Sequence, residues 1–236
     1  MPVFTTILGK TAWTLKQSTI DGAVGFSTTS VIRIGEPAFQ TLGTTGGFTV
    51  EWFQFFSTAT FANNFPVALF TSAGSPLFSA RYQSATSLRF NVVGAGAGNV
   101  TIPNYTNKWT HQAWCRSSTT LRYFLNGSSI YSVTPNLTNA TAVLCIGNCN
   151  IPGAGFNFPG AITNVRWTSS VALYNANFFP PSTPLTEFTG STLLLLKNYS
   201  RETVLSTNTA FLPSSITSTP TLTWSNIRQP LPFIPS

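Results

Sequence analysis

The chain is 236 residues long, with only 7% charged residues and a formal net charge of +7 from twelve basic residues against five acids. That length suits one all-β domain able to bury a core without disulfides or metals. The Lys and Arg are dispersed, so no nucleic-acid arm is expected, and no apolar run approaches the roughly 18 residues of a spanning helix, so membrane insertion is not expected either.

Residues 1–20 read as a Thr-rich N-terminal arm with Trp13 as an anchor. Met1-Pro2-Val3-Phe4 lacks a basic segment followed by an apolar run, so no secretory signal is expected. From 21 to 224 short apolar strands alternate with Gly, Pro, Asn and Ser punctuation, which predicts an antiparallel two-sheet jelly-roll sandwich. The early strands fall at Val31–Ile34, Phe48–Phe56, Val67–Phe70, Leu77–Tyr82, Ser87–Val93 and Asn99–Ile102, and Gly94–Gly98 reads as a connector.

Two alternating runs, Trp109–Arg116 and Leu121–Leu125, precede Asn126-Gly127, a pair that adopts positive φ and suits a two-residue type I′ hairpin. Cys115 sits in this strand pattern as a small apolar residue. Cys145 and Cys149 bracket a short loop in which a local disulfide would fit; without a second Cys pair or a His cluster, zinc is not expected. A further strand is expected at Thr221–Trp224. Residues 225–236 form a Pro-rich tail, too rich in Pro for a central strand. Pro230, Pro232 and Pro235 favour an extended path exposing Leu231, Phe233 and Ile234, which then either dock another subunit or cap their own sandwich.

The five acids, Asp21, Glu36, Glu51, Glu187 and Glu202, are scattered. Sugar hydrolysis needs two carboxyl groups roughly 5 to 9.5 Å apart, so no enzyme is expected. Calcium takes about six to eight oxygens, commonly carboxylates; a site here would have to use carbonyls, Asn and Asp21, and no cofactor is expected. His111, the one histidine, shares a face with Trp109, Ala113 and Cys115, where a hydrogen-bonded structural role is expected. The opposite face carries Thr110, Gln112, Trp114 and Arg116, with Arg122 on the next strand. An indole beside guanidinium and amide donors suits a sugar, so Gln112, Trp114, Arg116 and Arg122 form the candidate glycan site. The alternative is that Trp114 is covered by the other sheet, a loop or a neighbouring subunit.

Phe48-Thr49-Val50-Glu51-Trp52, the 109–131 stretch and Phe158–Trp167 resemble the concanavalin A-like, laminin-G-like jelly roll over roughly residues 20 to 200. Glycoside hydrolases sharing that fold cluster acids as Glu-x-Asp-x-x-Glu, which this chain lacks. Ala172-Leu173-Tyr174-Asn175-Ala176-Asn177-Phe178, then Pro180-Pro181, resembles a branch common in phage and large-virus structural proteins. The resemblance implies a non-enzymatic virion structural protein of capsid, fibre or tail, made in host cytoplasm and displayed on the virion surface. Its partners would be other virion proteins or copies of itself. The alternative is a host-attachment lectin binding cell-surface glycans.

Overall fold

The computed structural model describes residues 23–26, 31–34, 42, 45–56, 65–71, 74–137, 142–147, 158 and 160–186 with their side chains. It also describes the backbone of strands at 3–7, 10–14, 19–20, 192–195, 216–219, 223–225 and 229–230. Among these residues there are strands and no helix. In chain order they are β1 (Val3–Ile7), β2 (Lys10–Thr14), β3 (Thr19–Ile20), β4 (Ala23–Phe26), β5 (Val31–Ile34) and β6 (Phe48–Phe56). Next come β7 (Val67–Thr71), β8 (Pro76–Ser84), β9 (Ser87–Val92), β10 (Gly96–Thr101), β11 (Trp109–Ser117) and β12 (Thr120–Leu125). The last are β13 (Ser128–Val133), β14 (Ala142–Gly147), β15 (Gly160–Ser169), β16 (Thr192–Leu195), β17 (Ile216–Thr219), β18 (Thr223–Ser225) and β19 (Gln229–Pro230).

Two antiparallel sheets form the sandwich. One has seven strands in the order β10-β9-β8-β7-β14-β5-β17. The other has eight, ordered β13-β12-β11-β6-β15-β4-β18, with β16 alongside β15. The sheets share one apolar interior because alternate residues of each strand point inward. From β6 these are Phe48, Val50, Trp52 and Phe56; from β8 and β9 they are Phe78, Ala80, Tyr82, Leu88 and Phe90. Phe48 stacks between Phe78 and Trp167 at centroid distances of 5.5 and 5.1 Å. Burying each such ring contributes roughly 1.5 to 3 kcal/mol.

Four sequence expectations fare differently. The Asn126-Gly127 turn is present, with φ of 49° and 77° and Leu125 opposite Ser128. Gly96-Ala97-Gly98 belongs to β10 and pairs with Val92, Asn91 and Phe90, so the expected connector is a hairpin strand. The N-terminal arm folds its backbone into the β1–β2 hairpin. Backbone pairing of β19 with β3 ties Gln229 and Pro230 to Ile20 and Thr19; Leu231, Phe233 and Ile234 lie outside the described residues.

One irregularity decides the chemistry of the eight-stranded sheet. Thr163 lies opposite Phe53 and Arg166 opposite Glu51, so Asn164 and Val165 together oppose Trp52 alone. This is a β-bulge with Asn164 in the left-handed region at φ 51°. Upstream, Ile162 points into the core; the extra residue then directs Val165 and Trp167 inward and Arg166 outward beside Glu51. Its amide secures the kink, donating to Thr163 Oγ1 at 3.0 Å and accepting from the Leu185 backbone N–H at 3.0 Å.

Candidate functional site

The outer face of the eight-stranded sheet is not solvent-facing. Residues 171–186 cross it as a strap, packing Ala172, Tyr174 and Phe178 over Ala113, Cys115 and Phe124, and Leu185 over Phe53 and Trp109. Small side chains at Ala113 and Cys115 make room for the Tyr174–Phe178 stack, whose rings lie 3.6 Å apart at 4°. The strap's backbone is anchored by side chains of the sheet. Leu173 N–H donates to Thr49 Oγ1 at 2.9 Å, and that hydroxyl donates to the Val171 carbonyl at 3.1 Å. With the Thr49 proton committed, the Cys115 thiol donates to Thr49 Oγ1 at 3.2 Å while its sulfur accepts Tyr174 N–H at 3.3 Å. Burial pushes the Cys115 thiol above its ordinary pKa, so it is held as a thiol.

Beneath the strap lies a buried charge cluster centred on Glu51. Its Oε1 accepts Arg166 Nε at 2.8 Å and a second, shorter bond from Arg166 Nη2; its Oε2 accepts His111 Nε2 at 2.9 Å and Tyr174 Oη at 2.8 Å. Burial alone would raise the Glu51 pKa, but the hydrogen bond and charge of His111, then those of Arg166, outweigh it and hold the carboxyl below its ordinary value. Glu51 is therefore an ionised acceptor, which places the proton on His111 Nε2. Arg166 Nη1 also donates to the Thr186 carbonyl at 2.9 Å, tying the far end of the strap to the same carboxylate. Burial, and secondarily the Glu51 charge, push the Tyr174 phenol well up, so it stays a donor. The expected structural roles of Glu51 and His111 are what the geometry gives. The missing part, visible only after folding, was Arg166 and Tyr174, which come from sequence positions over a hundred residues away.

The candidate glycan residues require correction. Gln112, Trp114 and Arg116 share a face as alternation predicted, but that face is the sandwich interior, and all three are fully buried. Trp114 packs against Phe78, Phe90 and Tyr123. Gln112 Nε2 donates to Tyr82 Oη at 2.7 Å and Thr110 Oγ1 at 3.1 Å, and Gln54 Nε2 donates to the same phenol at 3.0 Å. Arg116 caps the backbone carbonyls of Gly46 and Leu42 and lies over the Phe48 ring, 5.1 Å from its centroid. Arg122 sits opposite Cys115, hence on the other face. Alternation sorted these residues into two sets; the seven-stranded sheet decides which set lies inside, and polar side chains are accepted there because they bond one another.

The outer face of the seven-stranded sheet differs. Ala80, Tyr82, Leu88 and Phe90 point into the core, so Ser79, Arg81, Arg89 and Asn91 point outward. Arg81 lies directly opposite Arg89, which lies opposite Asn99; Ser79 lies opposite Asn91 in the next row. Asn99 is exposed, and Arg81, Arg89 and Asn91 are half-buried. Arg81 rests over Phe65 with its guanidinium carbon 6.0 Å from the ring centroid. Among the described residues no carboxylate faces this pair. Among them, too, no three His, Cys, Asp or Glu side chains cluster in a metal-binding arrangement. Cys145 is buried beside Phe65, Ala68 and Phe70 under this face; its expected partner Cys149 lies outside the described residues.

Comparison with known proteins agrees with the architecture. A Bacteroides ovatus protein inferred to bind carbohydrate is similar to it with a TM-score of 0.59 at 19% identity, over 96% of this chain and 66% of that one. A heptameric SAP-like pentraxin of Limulus polyphemus gives a TM-score of 0.48 at 16% identity, over 79% of this chain and 98% of its own. Trypanosoma rangeli sialidase gives 0.46 at 14% identity, over 56% of this chain and 21% of its own. No curated protein matches the chain in sequence. A laminin-G-type family model (Laminin_G_3) matches residues 26–173. With its two antiparallel sheets and that match, the chain belongs to the concanavalin A-like lectin/glucanases superfamily.

Proposed function

We propose that the protein is a non-enzymatic carbohydrate-binding domain that takes its glycan on the outer face of the seven-stranded sheet. The observation that carries this reading is the contrast between the two outer faces: the strap roofs one, while the other presents Arg81, Arg89, Asn91 and Asn99. Fixed amide and guanidinium donors on a rigid sheet suit sugar hydroxyls, because their geometry is set before binding. The inferred role of the Bacteroides ovatus protein supports the same class of ligand. Enzyme chemistry is disfavoured by Glu51, the one carboxylate among the described residues. All four of its bonds go to Arg166, His111 and Tyr174, and it has no second carboxyl group within the described fold to work with.

The virion-assembly role rests on the Leu173–Pro181 resemblance, and much of that segment has a different job within the fold. Tyr174 bonds Glu51, Phe178 packs on Phe124, and Asn177 Oδ1 accepts the Ser129 N–H at 2.9 Å. Among the described residues, Phe179 is the one large apolar side chain left exposed, at 82%, and one such residue is not an assembly surface. What supports assembly is then the low charge, and co-purification with particles at fixed copy number is its test.

The glycan reading is tested by affinity electrophoresis of the purified chain through a panel of polysaccharides, with reducing-end release measured in parallel. Retardation without release is expected. Asn99→Trp, on the open face, should abolish retardation, whereas Asn175→Trp, on the outside of the strap, should preserve it. Absence of retardation on every polysaccharide overturns the reading.

A further inference from the structure

We infer that the ligand of this face is an anionic sugar whose oxyanion seats between the guanidinium groups of Arg81 and Arg89. The inference rests on the glycan reading and narrows it to a substrate class. Two like charges placed directly opposite on neighbouring strands, with Cβ atoms roughly 4.5 to 5.5 Å apart, oppose sheet pairing. Proteins usually relieve such a pair with a nearby carboxylate, yet none among the described residues faces it. The Nε atoms of both arginines are buried and, among the described residues, have no hydrogen-bond partner. Arg81 is steadied from below by Phe65, which fixes the direction of its planar fork without consuming a donor. On the same face Ser79 Oγ is buried and has no hydrogen-bond partner among the described residues, while Asn91 and Asn99 flank the pair across β9 and β10.

These features describe an unmet demand for negative charge with hydrogen-bond donors around it. A planar guanidinium pair matches a sulfate ester or a carboxylate, each of which accepts two parallel N–H bonds. The amides of Asn91 and Asn99 then reach sugar hydroxyls beside the oxyanion. Twelve basic residues against five acids across the chain add an attractive field at long range.

The test uses the full chain and four probes: heparin for sulfate esters, polygalacturonate for carboxylates, dextran as a neutral polysaccharide, and oligo(dT) as a polyanion without a sugar-ring oxyanion. Expected is binding to heparin or polygalacturonate that weakens with added salt; which of the two binds identifies the oxyanion. Arg81→Gln and Arg89→Gln should each weaken it roughly ten- to a hundredfold, the loss of a charged hydrogen-bonded contact. Arg89→Lys, which keeps the charge but not the fork, should weaken it less than Arg89→Gln. Unchanged melting temperatures in all three exclude unfolding as the cause. Dextran binding that ignores both arginines overturns this inference and leaves the glycan reading standing. Equal, arginine-dependent binding of oligo(dT) makes the pair a general polyanion surface and overturns it too. Failure of every polysaccharide removes both.

Discussion

Glu51 and Tyr174 stand 123 residues apart in the chain and are joined by a 2.8 Å hydrogen bond. Because Glu51 also holds Arg166, and Arg166 holds the Thr186 carbonyl, one carboxylate fastens both ends of the strap. The strap is thus part of the sheet's electrostatics as well as its apolar cover.

Glu51→Gln should therefore cost more than one hydrogen bond. It removes the charge that compensates buried Arg166, and breaking one partner of a buried ion pair costs about 3 to 5 kcal/mol. We expect a drop of that order in urea-unfolding free energy. Hydrogen exchange should accelerate at the Leu173, Tyr174 and Leu185 amides, which bond to Thr49, Cys115 and Asn164. Unaltered exchange in these amides would show that apolar packing alone holds the strap.

The same carboxylate sets an acid limit. Its pKa is held below the ordinary 4.5 by His111 and Arg166 despite burial. The folded state therefore binds this proton less readily than the unfolded chain does. The resulting stabilisation is complete above about pH 4.5 and disappears as pH falls through the depressed folded value. The difference in urea midpoint between the natural chain and Glu51→Gln should be flat from pH 7 to about 5 and shrink below it. A difference that stays constant down to pH 2 would contradict the assignment.

Gly127→Ala probes the junction of hairpin and strap. Gly127 has φ of 77°, and a Cβ there would lie 1.8 Å from the Phe178 carbonyl oxygen, which is backbone and cannot swing away. The Gly127 carbonyl also accepts Phe178 N–H at 2.9 Å. Left-handed strain adds about 1 to 2 kcal/mol, and the clash adds to it. Calorimetry should show a lower melting temperature, and the fluorescence of Tyr174 beside Phe178 should report a displaced strap.

Asn164 separates backbone from side-chain effects. Asn164→Gly keeps the left-handed residue but loses the bond to Leu185 N–H, and should cost about 1 to 3 kcal/mol for the buried donor left unpaired. Asn164→Ala loses the bond and adds strain, so it should cost about 1 to 2 kcal/mol more. Equal costs for the two would mean that the conformation at 164 is unstrained.

Much of the fold was legible because strands, turns and their punctuation are local. Phe48–Phe56 reads as a strand from its own residues, and Asn126-Gly127 specifies its turn without outside help. The face of a strand is a different matter. Thr110, Gln112, Trp114 and Arg116 are a polar-aromatic set on paper, and nothing local says that Tyr82 and Phe78 will close over them. For the same reason Trp114→Ala does not test binding: a Trp→Ala change in a core costs about 3 to 5 kcal/mol and would abolish any function by unfolding. The strap is not legible in the sequence because residues 171–186 have no regular periodicity; their partners lie on β6, β11, β12 and β13, all distant in sequence. The Arg81–Arg89 pairing was not legible even with β8 and β9 taken as a hairpin: a turn at residues 85–86 with Ser84 opposite Ser87 predicts Arg89 opposite Tyr82, and the register shift between Tyr82 and Ser84 is what sets Arg81 opposite Arg89.

The bulge at Asn164 and Val165 has a consequence for how β15 tolerates change. A strand encodes inside and outside as even and odd, and one added residue changes the parity of everything after it. Deleting residue 164 would leave Ile162, Thr163, Val165, Arg166 and Trp167 in regular in–out alternation, so the faces survive its loss and the amide bond to the Leu185 N–H is what goes. Straightening the bulge with every residue kept is the change that acts on side chains as a frameshift acts on codons: Asn164, Arg166 and Thr168 would turn into the aromatic interior, and Trp167 would face the strap. The distal half of β15 thus takes its faces from the bulge as well as from its composition: conservative exchanges at Val165 or Thr168 disturb one site, whereas pairing residues 160–169 one-to-one with β6 misdirects the whole distal half and leaves Glu51 without its arginine.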